Sequence, residues 1–327
     1  MKEAVLSASI GLFASFSMVL AESFPEEATF LGMCDASAAA AIDGEHFIVA
    51  DDEDNVLRVY RREGGKALFE HDLSEFLGNE GKKKPKEADL EAGAQIGPRT
   101  FWITSHGRNS KGKPQPERQR LFATEVTFND GKVEVRPFGQ SYNSLLEDLI
   151  TAPELAKYKL QEASQLAPKA AGALNIEGMG TTPDNQLLVG FRNPIPGGKA
   201  LLVSLLNPNE IVQGQRAKFG SPIELDLGGL GIRSLGYYEG RYLIIAGAFA
   251  EGGGSKLFEW NGKDKPRLVE GVSFASLNPE GIAFHRTEGG SEYFVLSDDG
   301  TVEIDGCACK KLKDPAVKRF RGKTVRF

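Results

Sequence analysis

One short unit recurs along this chain: a charged residue opening an apolar strand, a tight turn, and a second apolar strand. It reads DASAAAAI-DG-EHFIVADD from Asp35, LEAGAQI-GP-RTFWITSH around Glu91, IEGMGTT-PDN-QLLVGFRN around Glu177 and PEGIAFHRT-EGG-SEYFVLSDD around Glu280. A fifth copy, IRSLGYY-EG-RYLIIAGAF, has Arg233 in place of the acid. Short apolar runs bounded by Gly, Pro, Asn and Asp signal hairpins. Hairpins repeated along a whole chain predict a β-propeller.

Each unit continues into one or two further strands, such as VLRVYRR from Val56, or RLFATEVTF and KVEVRPF joined by Asn129, Asp130 and Gly131. Four strands make a blade. The expectation is therefore an all-β fold, a single propeller of five blades, or six if a long interval hides a blade without the charged signature. The run ATFLG from Ala28 is free to complete the last blade and close the ring, which removes exposed edges. Two segments break the rhythm. Glu75 to Lys86 is charged and reads as a solvated loop. Ser144 to Ala171 reads as a helical insert, with Leu145, Leu146, Leu149 and Ile150 sharing a face and Thr151 and Glu154 spaced as a capping box around Pro153. Its expected role is a buttress over one face of the ring.

A chain of 327 residues suits one large β domain, and a net charge of −6 argues against a nucleic-acid binder. Residues 4–21 are uncharged and mostly apolar and end in Val19-Leu20-Ala21. They read as a signal peptide over 1–21, with the propeller over 22–327. Interspersed serines weigh against a permanent span. The expected location is periplasmic or secreted, with no stable membrane span after cleavage. Export permits a disulfide between Cys34 and either Cys307 or Cys309 if the chain ends meet.

In an antiparallel hairpin, the start of the first strand and the end of the second lie at one edge. With the first strand innermost, Asp35, Glu91, Glu177, Arg233 and Glu280 form a ring at one channel mouth. The ends of the second strands add Asp51, Asp52 and Asp54; His106, Arg108, Asn109 and Lys111; Arg192 and Asn193; and Asp298 and Asp299. Four carboxylates against one guanidinium repel unless a cation or further partners neutralise them. Oxygen ligands from several loops suit Ca²⁺, which makes Asp35, Glu91, Glu177 and Glu280 candidate metal ligands; a ring of ion pairs is the competing reading.

The segments SHGRNSKGK and GFRNPIPGGK share an Arg-Asn pair followed by Gly-Lys. Fork-shaped donors beside Lys suit an anion. Arg108, Asn109, Lys111, Arg192, Asn193 and Lys199, with Arg233, are the candidate ligands for an anionic small molecule. His106 is a candidate general acid or base. His285, Trp102 and Trp260 read as structural. Gly107 to Lys113 spells a phosphate-binding loop, but Pro114 stands where Ser or Thr is needed and no helix follows.

The strings DASAAAAIDGEHFIVADDEDNVLRVY, WITSHGRNSKGK, NIEGMGTTPDNQLLVGFRNPIPGGKALLV and LDLGGLGIRSLGYYEGRYLIIAGA resemble the bacterial domain-of-unknown-function 3616 family, over roughly Phe30 to Glu303. That resemblance implies fold context and no activity. The chain is also similar, over a shorter motif, to esterase-like phytase propellers, through Asp89-Leu90-Glu91, Asn175-Ile176-Glu177-Gly178 and Asn278-Pro279-Glu280-Gly281. Ala92 replaces the motif's Gly in the first copy. This likeness implies ester or phosphoester chemistry as a class. The expected function is a cation-dependent hydrolase of an anionic ester, with Glu91, Glu177 and Glu280 holding the cation and Arg108 and Arg192 clamping the anion. The alternative is a non-catalytic propeller that binds a ligand or another protein.

Overall fold

A computed structural model describes residues 26–129, 132–250, 252–287 and 290–325. The expected signal peptide and the turn residues Asp130 and Gly131 lie outside them. The chain forms a five-bladed propeller. Blade one is Ala36–Ala41, His46–Asp51, Val56–Arg61 and Phe69–Asp72. Blade two is Leu90–Ile96, Arg99–Thr104, Leu121–Asn129 and Lys132–Tyr142, and blade three is Asn175–Thr181, Leu187–Asn193, Ala200–Leu205 and Ile223–Leu225. Gly231–Tyr238, Arg241–Gly247, Lys256–Trp260 and Arg267–Leu268 make blade four.

Blade five joins the two ends of the chain. Pro279–Thr287, Gly290–Ser297 and Arg319–Val325 are followed by Glu27–Leu31, which pairs antiparallel with Arg319–Val325 from Glu27↔Lys323 to Leu31↔Arg319. The ATFLG run therefore closes the ring, as its position suggests. A disulfide between Cys34 and Cys309 adds a covalent clasp beside this closure, and Cys307 is free.

Burial explains why the ring holds. Five apolar clusters sit at the five blade-to-blade junctions. Phe30 of blade five meets Phe47 and Tyr60 of blade one, Trp102 of blade two meets Leu57 and Val59 of blade one, and Ile232 of blade four meets Leu188 and Leu202 of blade three. Each blade thus presents apolar residues on both faces, and polar groups collect on the rims. Near the axis the strands converge, and Ala38, Ala39, Gly93, Gly180 and Gly236 keep the inner strands slim.

The insert is helical but broken into Leu145–Thr151, a 3₁₀ turn over Pro153–Tyr158, and Leu160–Ala163. Leu145, Leu149, Leu155 and Leu160 join the cluster between blades two and three. It is a buttress in the plain sense that its apolar face completes that junction. The expected capping box is absent. The Thr151 hydroxyl donates back to the Glu147 carbonyl at 2.9 Å, and so ends the first helix rather than starting the second. The segment after Leu73 also begins with a short helix, Ser74–Leu77, because Leu73 and Leu77 are buried between blades one and two. Among the described residues no helix is long and apolar enough to cross a membrane.

Candidate functional site

All five inner strands carry a register slip, at Ser37, Glu91, Glu177, Arg233 and Glu280, and in blade three a second slip passes over Arg192 on the partner strand. A bulge leaves its extra residue out of the ladder and re-aims that side chain, and bulges recur beside binding sites. Here they define the inner ring of the channel mouth. Two residues upstream, Asp35, Asp89, Asn175, Gly231 and Asn278 form a second ring at the rim. The sequence reading is corrected in blade one. Asp35 belongs to the rim, and the bulge position is Ser37, whose hydroxyl donates to the Leu90 carbonyl at 2.6 Å.

Behind these rings lies an open cavity of roughly 690 Å³. Its wall includes Glu91, Glu177, Arg233 and Glu280 of the inner ring, Asp89, Asn175 and Asn278 of the rim, and Asp52, Arg192 and Asp298 from the second strands. Distant charged residues do become neighbours there. The C-terminal end of the insert, through Ala167, Pro168 and Lys169, supplies part of the wall.

Ion pairing divides the cavity unevenly. Glu177 accepts from Arg192 at 2.6 Å and from Asn175 at 2.8 Å, while its second carboxylate oxygen is buried without a partner. Glu280 pairs with Arg233 of the neighbouring blade. Asp89 accepts from Arg118 at 2.8 Å and also from Ser105. Among the described residues Glu91 has no hydrogen-bond or ion-pair partner, although it is only 9% exposed. Burial, with Glu177 and Asp89 nearby, pushes its carboxyl well above the usual carboxylate range.

Unpartnered acid also collects at blade one. Oxygens of Asp35, Asp51 and Asp52 lie within 4.8 Å of one another. One Asp52 oxygen is buried without a partner. Burial raises Asp35 to about 8, reinforced by Asp298 and Asp51, and raises Asp51 to about 7, reinforced by Asp54. Asp52 is held well above its ordinary value by burial and then by the charges of Glu91, Asp51 and Asp298. Three clustered oxygens with a fourth acid close by suit a hard cation. This pole, made by blades one and two, faces guanidiniums from blades three and four. Arg192 spends one N–H on Glu177 and another on the Ala248 carbonyl, and the Arg233 Nε is buried without a partner.

The other residues singled out from sequence are placed differently. The His106 ring is buried outside the cavity wall, with Nδ1 2.8 Å from the Thr104 carbonyl oxygen, and burial lowers it to about 4. Arg108 borders the cavity, but its guanidinium is spent on the Ser164 and Gly112 carbonyls and on Gln165, which ties down the insert. Asn193 likewise donates to the Pro168 and Ala170 carbonyls. Asn109 accepts from the Lys111 and Lys113 backbone N–H groups at 3.0 Å, which is turn chemistry, and Lys111 is exposed away from the wall. Lys199 is exposed near Glu224, on the outer side of blade three. Asp54 and Asp299 pair with Arg58 and Arg321 at 2.8 Å. Sequence reasoning missed Arg118 and the Gly300 turn. Arg118 had no repeat signature, and a glycine next to two aspartates reads as an ordinary turn.

The far mouth of the channel is unlike this one. A small pocket there is lined by Leu235, Gly236, Tyr238, Ile282 and Phe284, and the Phe284 ring lies against Gly236.

No curated protein matches this chain. Among solved structures it is similar to a glutaminyl cyclase from Myxococcus xanthus, at 11% identity over 93% of this chain and 97% of that one, with a TM-score of 0.43. It is similar to a PQQ-bound aldose sugar dehydrogenase from Streptomyces coelicolor, at 11% identity over 93% and 100%, with a TM-score of 0.41. It also resembles a GH43_1 enzyme from Xanthomonas citri, at 11% identity over 82% and 83%, with a TM-score of 0.43. Likeness this distant assigns no activity to this chain. Residues 133–275, from the outer strand of blade two through blade four, match the model of a family described as a protein of unknown function (DUF3616).

Proposed function

We propose that the acidic channel mouth binds a divalent cation, Ca²⁺ being the ion its all-oxygen ligands suit, and that the protein hydrolyses a small anionic ester there, a phosphate ester being the class that fits both poles. The observation behind this reading is the separation of charge across one cavity: Asp52 and Glu91 on the wall at one side, with Asp35 and Asp51 clustered against Asp52, and Arg192 and Arg233 on the wall at the other. The candidate ligands therefore shift from Glu177 and Glu280, which are committed to guanidiniums, to the blade-one aspartates. A bound cation would neutralise these carboxylates and polarise an ester oxygen. Arg192 and Arg233 orient the anionic group, with Glu177 and Glu280 holding each guanidinium in place. Glu91 faces the cavity without a partner and is the candidate acid–base group, in place of the buried His106.

The test is turnover of a chromogenic phosphate monoester by the purified protein, before and after chelation, with its metal content measured alongside. Turnover that is restored by Ca²⁺ and lost in Asp52→Asn and Glu91→Gln supports the reading. Turnover indifferent to chelator and to both substitutions overturns it. A second reading, a binding propeller without catalysis, is favoured by one observation: among the described residues no histidine or cysteine lies on the cavity wall. Cation-dependent stabilisation by a phosphate ester that remains intact would select that reading.

A further inference from the structure

The acid cluster of blade one meets the other end of the chain at Asp298 and the Gly300 turn, and the Cys34–Cys309 disulfide lies at the join. Cys34 directly precedes Asp35, and Cys309 directly precedes Lys310, whose ammonium pairs with Glu53 at 2.9 Å. Both half-cystines are fully buried. The Asp299 N–H donates to the Cys34 carbonyl at 2.9 Å, Asp35 forms an isolated bridge with Asp298, and the Lys310 N–H donates to the Gly300 carbonyl at 3.0 Å. The Gly300 turn is thereby pressed over the Asp35 carboxylate. A Cβ on Gly300 would sit 1.6 Å from Asp35 Oδ1.

Besides the disulfide, the Arg321 guanidinium holds the start of this lobe through two 2.8 Å hydrogen bonds to Asp299. Between Gly290–Ser297 and Arg319–Val325 its regular structure is the two-residue strands Glu303–Ile304 and Cys307–Ala308 and two single 3₁₀ turns. Its apolar cluster is Ile304 and the two half-cystines, with Leu312 packed against them. Ring closure does not depend on it, because Glu27–Leu31 is paired residue by residue with Arg319–Val325.

We infer that the Cys34–Cys309 disulfide and the Gly300 turn it anchors are the positioning element of the cation pole, so that the site is competent in the oxidised chain and loosened when the bond is open. This rests on the cation reading above. Without the bond, the propeller stays closed through blade five while the Gly300 turn is free to lift from Asp35. The three aspartates then lose their common focus.

The experiment is calorimetric titration with CaCl₂, well below the unfolding temperature. It compares the oxidised protein with Cys34→Ser/Cys309→Ser, both carrying Cys307→Ser to prevent thiol exchange, and circular dichroism confirms the fold. Gly300→Ala, which keeps the disulfide, is measured in parallel. Gly236→Ala, at the opposite mouth, controls for general destabilisation. The expected result is binding by the oxidised protein, a loss of tenfold or more in affinity in the double-serine variant and in Gly300→Ala, and none in Gly236→Ala. Equal affinity in a folded double-serine variant overturns the inference while leaving the cation site standing. If the double-serine variant does not fold, unchanged affinity in Gly300→Ala overturns it. Absence of binding by the oxidised protein overturns the cation reading itself, and this inference with it.

Discussion

The contact between Gly236 and Phe284 at the far mouth gives a sharp test of how tightly the axis is packed. A methyl group on Gly236 would lie 1.8 Å from Phe284 Cε2 and 2.4 Å from Cζ. The ring cannot yield cheaply. It stacks on Tyr238 at 5.8 Å between centroids and meets Tyr293 edge-on at 5.2 Å. Overpacking of this kind costs about 1–3 kcal/mol, and disturbing two aromatic contacts worth about 0.5–1.5 kcal/mol each places Gly236→Ala toward the upper end of that range. Backbone strain adds nothing, because Gly236 does not have a positive φ. In a Phe284→Ala background the clash is gone. The same glycine substitution should then be neutral, or stabilising by about 0.5 kcal/mol through the entropy of the unfolded chain. Urea denaturation of the parent, both single variants and the double variant, followed by fluorescence of the buried Trp102 and Trp260, measures the cycle. A favourable coupling of about 1–3 kcal/mol is expected. Gly236→Ala within 0.5 kcal/mol of the parent, or an equal cost in both backgrounds, would refute the packing argument.

Three further outcomes follow from other buried groups. Burial holds the His106 and His285 rings near 4, below the ordinary 6.5, so their contribution is intact above pH 6.5 and is lost as pH falls through 4. The loss is roughly 3 kcal/mol per ring. Asp35 and Asp51, raised to about 8 and 7, act in the opposite sense over their own window, so the histidine effect is read as a difference between proteins. His285→Gln should lose about 2 kcal/mol less than the parent in urea titrations between pH 7 and pH 4.5, and equal losses would sink the claim. Arg108→Ala should make the 144–171 insert more sensitive to limited proteolysis while leaving ligand affinity unchanged; weaker affinity with an unaltered digest would restore its role as an anion clamp. Arg233→Met strands the Glu280 carboxylate and should cost about 3 kcal/mol in urea denaturation, most of it recovered by adding Glu280→Leu; no recovery would show that the guanidinium acts through something other than that pair.

The blades were legible because alternation, turn residues and the free ATFLG run all point to one closed ring. The inner ring was less legible for a physical reason. A bulge shifts one residue out of register and leaves no mark in composition, so in blade one the eye stops at Asp35, an acid, and passes over Ser37. Counting back from the turn recovers the position: Ile42 follows Ser37 by the same interval that separates Ile96 from Glu91. His106, Lys111 and Lys199 show the converse error. Their chemistry is conspicuous in one dimension, but burial or outward placement removes them from the cavity. The cysteine pairing needed three dimensions, since Cys307 and Cys309 are equivalent in sequence terms.

The departures from five-fold symmetry are where the chemistry gathers. An unbroken ring of glutamates would repel itself and be relieved only by protons or by several cations. Arg233 in blade four, together with Arg192 from the end of a second strand, neutralises Glu280 and Glu177. Ser37 in blade one removes a carboxylate from the inner ring but supplies no cation, so Glu91 beside it stays unpaired. It adds to the charge pressing on Asp52, itself clustered with Asp35 and Asp51. The surplus negative charge thus gathers on blades one and two, with Asp298 of blade five beside them. There the first module meets the turn that follows Gly290–Ser297, and there a glycine at position 300 lets the backbone close over the carboxylate of Asp35.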